Sequence, residues 1–216
     1  MQTLPPQRLA AALLLATIAG CVDAVGFSEL GGHFVSFMSG NSTRLGLHLA
    51  DHEWRSAIFT LGLVALFVGG AAAGALIVER AGRAASAVIL LGEAALLAGG
   101  AVLIDGPNPL LGAVLLPPAM GLANTFLPGA GHAPIGVTYM TGALVRIGTG
   151  LAALGREAGR AHGVLLDLSL WLALVAGVTL GGIGRLRYDG NVLFAPVAAL
   201  VALGLAEAWF AVRRRT

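Results

Sequence analysis

The sequence predicts an all-α integral membrane protein of two structural repeats, with about six transmembrane helices plus two short partial (re-entrant) helices, in inverted topology. Three observations predict it. The 216 residues are 57% hydrophobic and only 11% charged, with a mean hydropathy of +0.86, outside the range of ordinary soluble domains. Apolar runs long enough to span about 30 Å of hydrocarbon recur along the whole chain. Residues 35–50 (VSFMSGNSTRLGLHLA) and 137–152 (VTYMTGALVRIGTGLA) are copies of one segment, with seven positions identical and four conservatively replaced.

The long apolar runs fall at roughly 7–27, 57–78, 85–105, 109–127, 163–183 and 191–212. No soluble-sized stretch remains between them, so residues 1–216 form a single membrane domain, with repeat one at 1–106 and repeat two at 107–216. In each repeat a long apolar segment ends in a polar patch, Asp23 or Asn124-Thr125. A Gly-rich connection follows, Gly31-Gly32-His33 or Gly129-Ala130-Gly131-His132. Then come the short duplicated segment and two more long segments, the last corresponding through Leu91-Gly92-Glu93-Ala94 and Leu205-Ala206-Glu207-Ala208.

Whether the duplicated segments cross the bilayer decides the topology. Sixteen residues of helix reach roughly 24 Å, short of the hydrocarbon core. Ser39-Gly40-Asn41-Ser42-Thr43-Arg44 is also too polar to face lipid. If the segments dip in and return, each repeat crosses three times and the repeats are inverted; if they cross, the repeats run parallel. With the N-terminus inside, the dipping arrangement puts eight arginines inside (Arg8, Arg80, Arg83, Arg156, Arg160 and Arg213–Arg215) and three outside (Arg55, Arg185, Arg187). The crossing arrangement gives seven and four. The positive-inside tendency therefore favours partial helices, with both termini cytoplasmic.

The chemistry is expected at the duplicated segments. Ser39-Gly40-Asn41-Ser42-Thr43 and Thr138 with Thr141-Gly142 read as helix starts, with a hydroxyl or amide cap and a glycine turn. A helix N-terminus near the midplane exposes N–H groups and the positive end of the dipole, which suits an anion or dipolar solute. Arg44 and Arg146 follow Gly40 and Gly142 by four residues, one turn in on the same face. The alternative is that these small residues serve helix packing. A guanidinium in a membrane needs a partner, and Asp23 is the natural one, in an ion pair that locks two helices. Asn124 occupies the equivalent place and carries no charge, so the two arginines need not be neutralised equally. Glu93 and Asp167 lie inside apolar runs and are candidates for proton coupling, or for pairing with an arginine.

Other chemistries find little support. All 13 basic residues are arginine, clustered at segment ends, and the pI near 9.3 follows from membrane orientation. A nucleic-acid surface would need aromatics and a soluble face. Cys21 is the single cysteine, excluding an intrachain disulfide. The histidines (His33, His48, His52, His132, His162) form no metal signature, and no nucleophile motif, P-loop or dinucleotide fingerprint occurs, so neither an enzyme nor a cofactor is expected. Ile18-Ala19-Gly20-Cys21 resembles a lipoprotein cleavage box. Its counterpart Gly121-Leu122-Ala123-Asn124 lies mid-chain, which argues against cleavage.

The run Ala19-Gly20-Cys21-Val22-Asp23-Ala24-Val25-Gly26-Phe27, followed by Phe34-Val35-Ser36-Phe37-Met38-Ser39-Gly40-Asn41-Ser42-Thr43, resembles the hallmark of the YoaK-like bacterial membrane proteins. The second hallmark, Thr-Tyr-x-Thr-Gly, is present as Thr138-Tyr139-Met140-Thr141-Gly142. Ser39 replaces a more usual Thr, and Ala143 stands where the first copy has Asn41. The resemblance covers essentially the whole chain and implies a multi-pass protein of the bacterial inner membrane, in a family known chiefly as a domain of unknown function.

The functional expectation is a permease for a small anion or polar molecule, proton-coupled through Glu93 or Asp167. Its partners are the bilayer and a small-molecule or ion substrate, with no nucleic acid. A passive channel of the same architecture and a non-transporting scaffold are the alternatives. Gly/Ala-rich faces are compatible with a homo-oligomer, but no heptad specifies a number.

Overall fold

A computed structural model of the chain describes residues 6–125, 140–154 and 160–213, and every regular element among these is helical. In chain order they are α1 (Pro6–Glu29), α2 (Met38–Ala50), α3 (Trp54–Ala81), α4 (Ala85–Ile104), α5 (Pro109–Ala113), α6 (Leu116–Ala123), α7 (Met140–Ala152), α8 (Arg160–Tyr188) and α9 (Phe194–Arg213). Of the residues singled out from sequence, Gly129, Gly131, His132, Thr138, Arg156, Arg214 and Arg215 lie outside the described residues.

Among the described residues, three stretches are long and apolar enough to cross a membrane: Arg8–Glu29, Trp54–Ile104 and Arg160–Arg213. The last two each hold two helices. Gly82, at φ +53°, stops α3 in a left-handed conformation that a side chain would strain, and a 3-10 turn (Gly82–Ala84) leads into α4. A second 3-10 turn (Asp189–Leu193) separates α8 from α9.

The expected span at 109–127 is corrected: it is not one long helix but two short ones, α5 and α6. The cause is Pro117-Pro118. Neither has an N–H to give back to the preceding turn, so the ladder of α5 cannot continue, and both prolines are accepted only in the opening turn of a new helix.

Two close helix crossings organise the bundle. Helix α1 runs parallel to α8, and α6 runs parallel to α3. A Cβ on Gly177 would overlap the Thr17 carbonyl oxygen, and one on Gly20 would overlap that of Leu174. In the other crossing, a Cβ on Gly70 would overlap the Pro118 carbonyl oxygen, and one on Gly121 that of Phe67. Backbones this close gain dispersion contacts that larger residues would prevent, the usual means of helix association in lipid. Helix α4 packs antiparallel on α9, with Leu90 and Leu91 against Gly204 and the Gly190 N–H donating to the Asp105 carboxylate at 2.6 Å. Val22, Leu63, Leu90, Leu97, Leu116 and Leu200 fill the centre.

The outer surface is as apolar as the core. Ile58, Leu61 and Val68 of α3 and Leu165, Leu172 and Leu180 of α8 are exposed. In water such a surface would aggregate, whereas lipid is its natural solvent. Trp54 and Trp209, exposed near helix ends, suit the interfacial zones.

Substituting Gly177→Leu or Gly121→Leu is expected to cost at least about 1–3 kcal/mol by overpacking, read as a lowered unfolding temperature or loss of monodisperse protein in detergent. Gly62→Ala, where a Cβ meets nothing within 4 Å, is expected to stay within about 0.5 kcal/mol of the parent.

Candidate functional site

The site is built on Asp23, six residues before the end of α1. Its carboxylate accepts the N–H groups of Val35 (3.1 Å) and Ser36 (2.9 Å) and the Ser36 hydroxyl. Six helical residues advance about 9 Å. The chain therefore leaves α1, turns at Gly31 and Gly32 (φ +60° and +83°), and runs back alongside the helix by about two turns. Asn41, fully buried, seals the reversal: its Oδ1 accepts the Phe34 N–H at 2.9 Å and its Nδ2 donates to the Phe34 carbonyl at 2.6 Å.

Helix α2 starts from that turned-back position. Six residues beyond Met38, the Arg44 guanidinium donates to the carbonyls of Gly32 (3.0 Å) and Gly31 (3.4 Å), back at the level of the end of α1. Helix α2 thus begins beside the Asp23 clamp and returns toward the surface where α1 ended.

The expected side-chain caps are corrected. The residue before α2 is Phe37, and no side chain caps the helix. Ser42 and Thr43 already lie inside it, so their hydroxyls bond back to the carbonyls of Met38 (2.9 Å) and Ser39 (3.1 Å). Ser39 is exposed. Gly40 serves packing: a Cβ there would come within 2.8 Å of the rings of Phe34 and Phe37, which meet edge to face.

The expected Asp23–arginine pair is also corrected, because backbone and hydroxyl donors occupy Asp23. The arginine pair is instead Arg146 with Asp167 of α8, through Nε to both carboxylate oxygens (3.0 Å each) and one terminal nitrogen (2.7 Å). A planar guanidinium and a carboxylate match in this forked geometry.

Arg44 has no such partner. Gly70 and Gly177 make matching contacts, and ten residues before each stand Thr60 and Asp167. Thr60 is fully buried and uncharged. Among the described residues Arg44 meets no carboxylate, and its Nε is buried without a hydrogen bond.

His33 and Thr60 were not legible as site residues. His33 Nδ1–H donates to the Leu30 carbonyl (2.6 Å), so the neutral ring accepts at Nε2 from the Thr60 hydroxyl (2.9 Å), which otherwise donates to Ser56. Burial pushes the His33 pKa down, its bond to Leu30 opposes this, and the charges of Arg44 and His48 nearby lower it further. His48 stacks on His33 at 6.1 Å and pairs through Nδ1 with Glu53 at 2.7 Å. Aligning the repeats through their glycines would have paired Thr60 with Asp167; nothing in the sequence marks His33 as buried.

In the second half of the chain, the Asn124 amide donates to the Met120 carbonyl at 2.7 Å. Thr141 is exposed, and among the described residues a Cβ on Gly142 would meet only Arg146, at 3.4 Å. Helix α2 packs mainly on α3 and α7 on α8. Glu93 is buried in the core, apart from both arginines in its hydrogen bonding. A groove of about 550 Å³ beside α3, α4 and α6 is lined by apolar and small residues, including Gly62, Leu66, Gly69, Leu96 and Leu122.

Asn41→Ala is expected to destabilise by about 1–3 kcal/mol, since it leaves both backbone groups of Phe34 unpaired, while Ser42→Ala should stay within about 0.5 kcal/mol; thermal unfolding in detergent checks both. His33 gives a pH dependence. Its folded-state pKa lies below the ordinary imidazole value, so the unfolded chain takes up the proton more readily. Stability is expected to hold above about pH 6.5 and to fall as the pH drops below it, and His33→Gln should flatten that slope in melting curves.

The chain is 37% identical over 209 residues to a UPF0700 transmembrane protein of Rhizobium meliloti (strain 1021), covering 96% of this chain and 88% of the relative. No solved structure matches. The family described as protein of unknown function (DUF1275) matches residues 11–206. With that match across nearly its whole length, and with the helical, lipid-facing architecture described above, the chain belongs to the DUF1275 family of membrane proteins.

Proposed function

We infer that the protein is a permease for a small anion or polar solute, built from two inverted repeats whose short helices α2 and α7 enter the bilayer only part of the way. The observation that carries this reading is the chain reversal held by Asp23, which starts the polar helix α2 well inside the end of a membrane-length helix. Polar, non-helical backbone at membrane depth is tolerated where it lines a cavity or a solute path, and broken helices there mark transporter binding sites.

The inverted arrangement is supported by the parallel packing of α1 on α8 and of α6 on α3. Helix α3 begins beside the end of α1, where His33 meets Thr60. An α8 parallel to α1 therefore runs opposite to α3, its counterpart in the other repeat. Arg80, Arg83 and Arg213 fall at one end of the bundle, while Arg55 and Arg185 fall at the other, with Arg185 paired to Glu29. By the positive-inside tendency this distribution supports cytoplasmic termini in a bacterial inner membrane.

Arg44 is the residue assigned to the solute. Arg146 is neutralised by Asp167, whereas among the described residues Arg44 holds only carbonyls, which leaves its charge for an incoming anion or dipole.

Proteoliposomes test the reading with chloride, nitrate and formate, and with glycerol and urea as neutral probes. Saturable flux of at least one probe is expected, falling about tenfold or more, a change of about 1.4 kcal/mol, in Arg44→Ala. Folded Arg44→Ala with undiminished flux removes the assigned site, and an inert wild type favours a scaffold. Unsaturable, strictly downhill flux indicates a channel.

A further inference from the structure

Most buried polar side chains in the described bundle have partners. His33, Ser36, Asn41, Thr60 and Asp167 each make the hydrogen bonds given above. Glu93 makes none. It is 1% exposed, and its Oε2 is buried with no hydrogen-bond partner. It stands eight residues from the start of α4 and eleven from its end, about 12 Å and 17 Å along the axis, which is close to the bilayer midplane. Leu90, Ala94 and Leu97 surround it on its own helix, and Leu122 of α6 packs against neighbouring Gly92.

Among the described residues no charge stands near enough to compensate it. On the elements packed against α4, the charged groups are Arg55, Glu79 and Arg80 of α3, Arg83 and Asp189 of the 3-10 turns, and Glu207 and Arg213 of α9. All lie within two turns of a helix end or in the turns themselves, and α5 and α6 carry none. An ionised carboxylate without partner or water in hydrocarbon is too costly to persist. A proton is the one counter-charge that needs no additional space.

We propose that Glu93 is the proton-carrying group of the transport cycle, and that Asp167, fixed to Arg146, is not. The proposal rests on the permease reading and names its coupling ion. A proton from water on the acidic side joins the carboxylate in one conformation and returns to water on the other side in a second, so no other reactant is consumed. The carboxyl's isolation suits this use: nothing in the resting core competes with the proton or holds it.

Infrared difference spectra of the reconstituted full chain between acid and alkaline buffer test proton binding without any solute. A protonated-carboxyl carbonyl band that titrates is expected in the wild type and in Asp167→Asn, and is expected to be absent from Glu93→Gln. Glu93→Gln is isosteric with the protonated acid and should fold; if it does not, Glu93→Asp must shift the band. A band unchanged by both Glu93 variants overturns the proposal.

Flux then tests coupling. An acid-outside gradient should concentrate a transported probe about tenfold per pH unit for one proton per solute, and Glu93→Gln should exchange the probe without concentrating it. Concentration by Glu93→Gln equal to wild type overturns the proposal and leaves the permease reading standing. A wild type that moves no probe overturns both the permease and the coupling, even where the infrared band places a proton on Glu93.

Discussion

The arrangement depends on one carboxylate accepting three hydrogen bonds. In a hydrocarbon environment the N–H groups of Val35 and Ser36 must find acceptors, and an ionisable residue inside a helix must find donors. Asp23 satisfies both needs at once. Without it, the Val35 and Ser36 N–H groups would lose the acceptor that turns the chain back along α1. Asn41 repeats the same logic on Phe34, so two polar side chains, one from each flanking helix, supply the backbone partners of an otherwise irregular segment.

The two glycine crossings resemble one another in packing, and the arginines of α2 and α7 differ in their partners. Gly177 and Gly20 at one crossing, and Gly70 and Gly121 at the other, each close on a backbone carbonyl, whereas Gly181 meets the Cys21 backbone and Gly74 the Thr125 side chain. At the arginines the match ends. One guanidinium is held by a carboxylate, while the other donates to two carbonyls and lies near His33.

Much of this architecture was legible from residues. Composition and run length announced the membrane helices, and α2 and α7 occupy corresponding stretches of the duplicated segments. The break between α5 and α6 was written in Pro117-Pro118, yet hydropathy averages over such a pair. The site was less legible because hydrogen bonding is set by depth and orientation. Ser42 and Thr43 look like capping residues until Phe37 is seen to precede the first turn. Asp23 looked like an arginine's partner because charge suggests charge, but two backbone N–H groups lay closer. The Arg146–Asp167 pair joins residues 21 positions apart on different helices, and sequence spacing alone cannot tell which of several carboxylates reaches an arginine.

The most direct measurement is the depth and sidedness of α2. The native cysteine, Cys21, is buried, so single cysteines placed at Gly31, Ser39 and Asp51 report with little background in oriented vesicles. Gly31 and Asp51 should be labelled by an impermeant thiol reagent from the same side, while a spin label at Ser39 should sit deepest in the bilayer. Labelling of Gly31 and Asp51 from opposite sides would mean that α2 crosses the membrane, and the account of an inward-turned polar segment would be wrong.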